Sequence, residues 1–331
     1  MKAREAFFDN ARFFLILFVV FGHLISPIKG DSALLSGLYK FIYFFHMPAF
    51  ILISGYFSKG FNRPGYLKKV FVKTILPYAL FQLIYCIFYY VTGYEDDFTL
   101  TLLDPHWTLW FLMSLFFWNL LLKLMAHLPY ALPLAIIMGI AIGYVPFFGS
   151  YLSIDRTFVF FPMFLMGYYM KPEHFTLLRT HFSRTLSLTF LAIMFIITLF
   201  FIPDSFKDWL LASHSYVDMG YEGLSAAGMR MLSYVGMFSM TYCFLSVVPS
   251  EHFRFTKIGS RTLYIYLLHG FLVKLIGLTD AYNSIDEFYQ YTLLLIVSVF
   301  ICFVLGSQFV QKITKPIIEF KLPIRRHSMN Y

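Results

Sequence analysis

The segment DNARFFLILFVVFGHLIS, residues 9–26, carries two ionisable side chains in a run otherwise suited to hydrocarbon: Arg12 at its start and His23 deep inside. Ionisable groups in such segments are costly and point to function by default. Arg12 and His23 stand eleven positions apart. At about 100° per residue this is three turns plus roughly 20°, so on a helix both share one face. The axial separation is about 16 Å, halfway through a hydrocarbon core about 30 Å thick. Imidazole, with an ordinary pKa of about 6.5, can take a proton from an attacking hydroxyl and return one. A long ligand with an anionic end at Arg12 and a reactive end beside His23 fits this geometry. Extended acyl-coenzyme A has that form: phosphates, a thin arm, a thioester. A packed histidine bonded to a neighbouring helix, with Arg12 as an interfacial topology charge, fits the same spacing, which leaves both readings open.

The elements that would position these residues are membrane helices. The chain has 331 residues, 59% hydrophobic and 13% charged, where soluble domains carry roughly a quarter charged residues. Continuous apolar runs exclude the alternating pattern of a β-barrel. The expected class is all-α: a polytopic membrane bundle of about ten transmembrane helices near 9–27, 38–57, 70–92, 106–126, 131–148, 155–170, 185–202, 226–248, 261–278 and 288–311. Residues 1–331 read as one membrane domain with no separate soluble domain and no cleavable leader. Cations gather in alternate loops. Lys2, Arg4 and Arg12 lie at the N-terminus, and SKGFNRPGYLKKVFVK follows the second span. Lys171, Arg179 and Arg184 form the next group, then Arg254, Lys257 and Arg261, then the tail cations Lys312, Lys315, Lys321, Arg325 and Arg326. The opposite loops, GYEDDFTLTLLD, PDSFKDW and TDAYNSIDEF, are acidic. The positive-inside rule then places both termini in the cytoplasm. The net charge of +8 follows from topology and gives no reason to expect nucleic acid. Cys86, Cys243 and Cys302 are isolated in spans and form no metal or redox pattern.

Several segments, in order along the chain, resemble the acyltransferase-3 family of integral membrane acyltransferases, and most closely its fucose 4-O-acetylase-like branch. Arg-x10-His in the first span is similar to the family signature. FFHMPAFILISGYF (44–57) resembles the second-span motif, with His46, Pro48, Ser54 and Gly55. KKVFVKTILPY (68–78), LWFL (109–112), RTFVFFPMFLMGYY (156–169) and RTLYIYLLHG (261–270) continue the series. The resemblance implies acyl-CoA as donor and transfer, usually of acetyl, to a hydroxyl of a sugar or cell-envelope glycan. It makes His23 the catalytic histidine and Arg12 its partner at the CoA end. It also implies a multi-pass protein of a bacterial plasma membrane, acetyl-CoA as co-substrate with no permanently bound cofactor or metal, and glycan-synthesis proteins as possible partners. One departure stands out: the third span starts with Lys68, Lys69 and Lys73 where arginines are usual, and lysine lacks bidentate geometry. Some relatives carry a C-terminal hydrolase-like domain; in this chain transfer is expected to finish within the membrane domain or with a separate partner.

Lys68, Lys69 and Lys73 are candidates for CoA phosphates, although positive-inside topology also accounts for them. Arg156 and Arg230 are cations on the expected outer side, against the charge bias, and are candidates for the acceptor or its oxyanion. His46 could orient His23, line the acceptor path or bond another helix. Trp107 belongs to an outer aromatic belt or stacks on a sugar ring. His106 and His269 have no assigned part. No Gly-x-Ser-x-Gly elbow is present, so the nucleophile is expected to be the acceptor hydroxyl. Direct transfer and a transient acyl-histidine both remain open. The rival from another class is a transporter or flippase of a glycan or lipid-linked sugar, which broken helices and intramembrane charge also suit.

Overall fold

The computed structural model describes residues 6–146, 151–285 and 287–320. Fifteen α-helices appear among them, with no strand: α1 Ala6–Ile25, α2 Ala33–Tyr43, α3 His46–Tyr56, α4 Tyr66–Thr92, α5 Trp110–Met125, α6 Ala131–Ala141, α7 Ile154–Tyr169, α8 Pro172–Leu178, α9 His181–Phe200, α10 Phe206–Leu211, α11 Gly223–Val247, α12 Thr256–Gly259, α13 Thr262–Gly277, α14 Phe288–Leu305 and α15 Gln308–Ile318. Among the described residues six stretches are long and apolar enough to cross a membrane: Ala6–Ile28, Ala33–Tyr56, Tyr66–Thr92, Trp107–Met125, His181–Phe200 and Phe288–Leu305. The outer faces of α9 and α14 leave Phe182, Leu186, Ile196, Phe200, Phe288, Ile296 and Phe300 exposed, an apolar surface suited to lipid rather than water. Lys2, Arg4, Lys321, Arg325 and Arg326 lie outside the described residues.

α1 runs through the centre and packs against α2, α3, α12, α13 and α14. Only four of its twenty residues escape burial, Arg12, Phe14, Phe18 and His23. Asn10 ties its first turn to the α11–α12 connection. Its Nδ2 donates to the carbonyls of Pro249 at 3.0 Å and Glu251 at 2.8 Å, and its Oδ1 accepts from Thr256 Oγ1 at 2.6 Å. Three buried polar bonds from one side chain set the depth of α1, and with it the depth of Arg12 and His23.

Two expected helices are divided. The stretch near 38–57 breaks at Phe44–Phe45 into α2 and α3. Pro48 is the cause: it has no N–H for the Phe44 carbonyl, and its ring excludes that carbonyl from helical position. The stretch near 288–311 stops at Leu305; Ser307 starts α15 as its cap, accepting from the Val310 N–H at 3.2 Å. The segment near 131–148 is helical only through Ala141 with a 3-10 turn to Tyr144, and residues 147–150 lie outside the described set. α3 and α7 cross at backbone contact, because a Cβ at Gly55 would overlap the Phe164 carbonyl and one at Gly167 the Leu52 carbonyl. Small residues permit such close crossings in membranes. Cys86, Cys243 and Cys302 are free and buried.

Candidate active site

His23 meets a second histidine. Its Nδ1 lies 3.0 Å from Nε2 of His269 on α13, with the rings nearly parallel at 7°. His269 is fully buried, and its Nδ1 lies 2.9 Å from the Ile265 carbonyl oxygen. A carbonyl only accepts, so Nδ1 of His269 carries a proton and donates it. With neutral rings, His269 Nε2 is then an acceptor and His23 Nδ1–H its donor. The chain of bonds therefore leaves the lone pair of His23 on Nε2, away from His269. This is the tautomer a general base needs, set by a neighbour as a carboxylate sets it in a hydrolase triad.

Trp107 covers the pair. Its ring centroid is 4.5 Å from that of His23 and 6.0 Å from that of His269. Trp107 has φ +42°, a left-handed backbone that a bulky residue adopts only under outside constraint. The constraint comes from α4, where Gln82 Nε2 donates to the carbonyls of Thr101 and Asp104 and its Oε1 accepts from the His106 N–H. From α13, the Tyr266 hydroxyl donates to the Thr108 carbonyl at 2.5 Å. Gly270, next to His269, leaves room for the indole: a Cβ there would meet Trp107 Cζ3 at 3.0 Å and collide with the Tyr85 hydroxyl. His46 lines the same space. Its Nδ1 donates to the Ile42 carbonyl at 2.9 Å, an acceptor at the break between α2 and α3, so its Nε2 is the free nitrogen.

One cavity of about 530 Å³ joins these groups to two charged ends. At one end are Arg12, Ser54, Lys73 and Thr262; in the middle His23, His46 and Trp107; at the other Lys29, Tyr39, Tyr43, Arg156 and Lys207. Arg12 pairs with Asp9 at 3.3 Å and lies over the Phe57 ring at 4.6 Å. Arg156 Nε donates to the Leu211 carbonyl at 3.1 Å, and its guanidinium lies 5.0 Å over Trp110. Lys29 donates to the Ser26 carbonyl at 2.7 Å and lies over Tyr39. Burial first, and then the neighbouring Lys207, lower the Lys29 pKa from its ordinary value, while Asp208 opposes them.

Of the residues singled out from sequence, the cavity gathers Arg12, His23, His46, Lys73, Trp107 and Arg156. Lys68 and Lys69 are exposed and do not line it. Arg230 does not reach it either. It is 1% exposed, donates from Nη1 to the Trp209 carbonyl at 2.5 Å, and is boxed by the rings of Trp209 at 5.1 Å and Tyr216 at 5.9 Å. Sequence reasoning had no part for His269, nor for Lys29 and Lys207. The signal for His269 was a histidine inside an apolar helix, followed by glycine; for the lysines it was two cations in otherwise acidic or neutral loops. Among the described residues no cluster of three His, Cys, Asp or Glu side chains is placed to hold a metal.

A helical bundle with membrane-length apolar helices, and a cavity whose His23 is hydrogen-bonded to a second histidine, defines a membrane protein with a polar interior site. The family profile described as an acyltransferase domain matches residues 5–307. The chain belongs to the acyltransferase-3 family, and its class is acyltransferase. It is similar to the nodulation protein NolL of Mesorhizobium japonicum, 28% identical over 299 residues that cover 83% of this chain and 78% of that one. It is also similar to the nodulation protein NolL of Sinorhizobium fredii, 32% identical over 142 residues, 37% of each chain. No solved structure matches.

Proposed function

We propose that the protein is an O-acyltransferase that moves an acyl group, in the first place acetyl, from acyl-CoA to a hydroxyl of a cell-surface or secreted glycan. One observation carries this reading: a single cavity runs from Arg12 and Lys73 past His23 to Arg156 and Lys207. CoA phosphates pair with Arg12 and Lys73 at the first mouth, and the pantetheine arm follows the α1 face for about 16 Å. The thioester then lies beside His23. The acceptor enters from the other mouth and its ring rests against Trp107, Tyr39 and Tyr43. A cavity of this size suits an extended arm and a sugar ring, with the nucleotide outside.

His23 Nε2 takes the proton of the acceptor hydroxyl as its oxygen attacks the thioester carbonyl. His269 accepts from Nδ1–H throughout and disperses the imidazolium charge. The tetrahedral intermediate collapses, the C–S bond breaks, and the imidazolium returns its proton to the leaving CoA thiolate. Donor and acceptor meet at one nitrogen, which favours direct transfer over an acyl-histidine. Alternating loop charge supports ten crossings with both termini in the cytoplasm. The donor mouth then opens to the cytoplasm and the acceptor mouth to the far side of a bacterial plasma membrane, beside glycan-synthesis proteins. Acyl-CoA is co-substrate, and no resident cofactor takes part.

The test is release of CoA from labelled acetyl-CoA by purified protein in vesicles supplied with envelope glycan. Wild type is expected to turn over. His23→Ala should lose about 10³-fold in kcat. Arg12→Ala should raise the donor KM about tenfold with a smaller change in kcat, as loss of a charge-assisted phosphate contact does. Glycan crossing the vesicle membrane without donor consumption by any protein would replace this reading with a carrier in which His23 is a gate.

A further inference from the structure

The cavity is cationic at both ends. Its lining includes Arg12, Lys29, Lys73, Arg156 and Lys207 and no aspartate or glutamate. Arg12 and Lys73 lie at the donor mouth and are accounted for by donor phosphates. Arg156, Lys29 and Lys207 lie beyond His23, where the donor has only its thioester and acyl group, both uncharged. Three cations around an apolar-walled space are costly without counter-charge. The protein supplies little of it. Arg156 uses Nε on the Leu211 carbonyl, and neither of its terminal nitrogens has a hydrogen-bond partner among the described residues. Asp155, its neighbour in sequence, acts on it through space, but both carboxylate oxygens are buried outside any hydrogen bond and make no close ion pair with it. Asp204 at the rim is taken by Lys40 at 2.9 Å and by the Ser36 hydroxyl. Asp208 is the one acid set to act on Lys29.

We infer that the acceptor itself is anionic: a saccharide whose carboxylate or phosphate docks between Arg156, Lys29 and Lys207 while the hydroxyl to be acylated lies at His23. This rests on the acyl-transfer reading for which mouth takes the donor. Arg156 is the anchor. Its guanidinium lies 5.0 Å over Trp110 with the terminal nitrogens open, the planar fork that binds a carboxylate or phosphate through two parallel bonds. Lys29 and Lys207 add point charges nearer the mouth. Tyr39 and Tyr43, stacked face to face with centroids 3.9 Å apart, line the space where the sugar ring would lie. Beyond them a groove of about 270 Å³, lined by Gly30, Asp31, Ser36, Lys40 and Asp204 and sharing Lys29, Tyr39 and Lys207, continues outward. It gives the saccharide room for a further, uncharged residue. Anion recognition also sets register: a charge fixed at Arg156 decides which hydroxyl reaches His23 Nε2.

The test separates this from the transfer chemistry by measuring binding with no donor present. Full-length protein in nanodiscs is titrated with envelope glycan of the producing cells, split by anion exchange into acidic and neutral pools, with tryptophan quenching as readout. The acidic pool should bind and the neutral pool should not, and binding should weaken as salt rises. Arg156→Gln should weaken acidic-pool binding about tenfold or more and Lys207→Gln severalfold, the ordinary weight of charge-assisted bonds. Lys207 is only half-buried at the mouth, so its variant keeps the test independent of folding at Arg156. Carboxyl reduction of the acidic pool abolishes binding if the group is a uronate; hydrofluoric acid dephosphorylation abolishes it if the group is a phosphate. Equal binding of the neutral pool, or unchanged binding in both variants, overturns the inference. Acidic-pool binding by a protein that never consumes acetyl-CoA would leave it standing and remove the enzyme reading instead.

Discussion

Arg156 and Arg230 look alike in sequence and have opposite surroundings. Each is a cation near the start of a membrane helix, on the same expected side. Around Arg156 the walls of α5 and α7 leave a space, and the guanidinium is held by one carbonyl and one indole with its terminal nitrogens facing that space. Around Arg230 the α10 segment and its following turn close in, and the mutually stacked rings of Trp209 and Tyr216 lie against the guanidinium while the Trp209 carbonyl takes Nη1. One region opens on a cavity and the other is packed shut, even though Arg230 Nε is left without a hydrogen-bond partner. Unused hydrogen-bonding capacity on an arginine thus marks a candidate ligand site only where packing also leaves open space beside it.

The comparison breaks or sharpens most directly at the two arginines. Arg230→Ala should lower unfolding stability by about 3 kcal/mol, since it empties an aromatic box deep in the bundle. Turnover per folded molecule should change little. Arg156→Ala should do the reverse, shifting stability by less than about 1 kcal/mol with acceptor-dependent turnover largely gone. Thermal unfolding and CoA release on the same samples decide, and the same loss in both variants would dissolve the distinction. The next effect in size lies at His269. His269→Phe removes the acceptor for His23 Nδ1–H and should lower kcat about 10²-fold with donor and acceptor KM nearly unchanged. His269→Gln, which can place an amide oxygen near the lost nitrogen, should recover part of it. A KM effect without a kcat effect would make His269 a packing residue only.

The smallest effect is at the acceptor rim. The Ser36 hydroxyl, and then Lys40, hold the Asp204 carboxyl below its ordinary pKa of 3.8. A depressed carboxylate contributes stability above its unfolded pKa and loses it as the pH falls through the lower folded value. Asp204 has a side chain 65% exposed, so solvent screening keeps the contribution under about 1 kcal/mol. Asp204→Asn should therefore be slightly less stable at neutral pH and converge with wild type in strong acid, which melting curves across pH would show.

How far the site was legible differs residue by residue. Arg12 and His23 were readable as a pair because both stand on one helix, where an eleven-residue spacing returns to the same face. Arg156 and Lys73 were readable as cations in recurring motifs, without any indication of which neighbours would leave them open. His269 lies 246 positions from His23, and no local pattern joins two helices at that separation. Helix positions followed from apolar runs, with two breaks of a single kind and one helix, near 131–148, shorter than expected. Hydropathy continues smoothly through Phe44–Phe45 and Gly306–Ser307, whereas Pro48 and the Ser307 cap interrupt the backbone there.

Composition and periodicity alone determined that this chain is a helical bundle of membrane-length apolar segments, and that an arginine and a histidine share one face of its first helix. Those are properties of one backbone with fixed period, and they need no partner. The tertiary structure decided which nitrogen of His23 is free, which arginine is sealed and which open, and that cations from three separate loops and helices face one space. Each of these depends on groups far apart in the chain meeting at hydrogen-bond distance, and only packing brings them there.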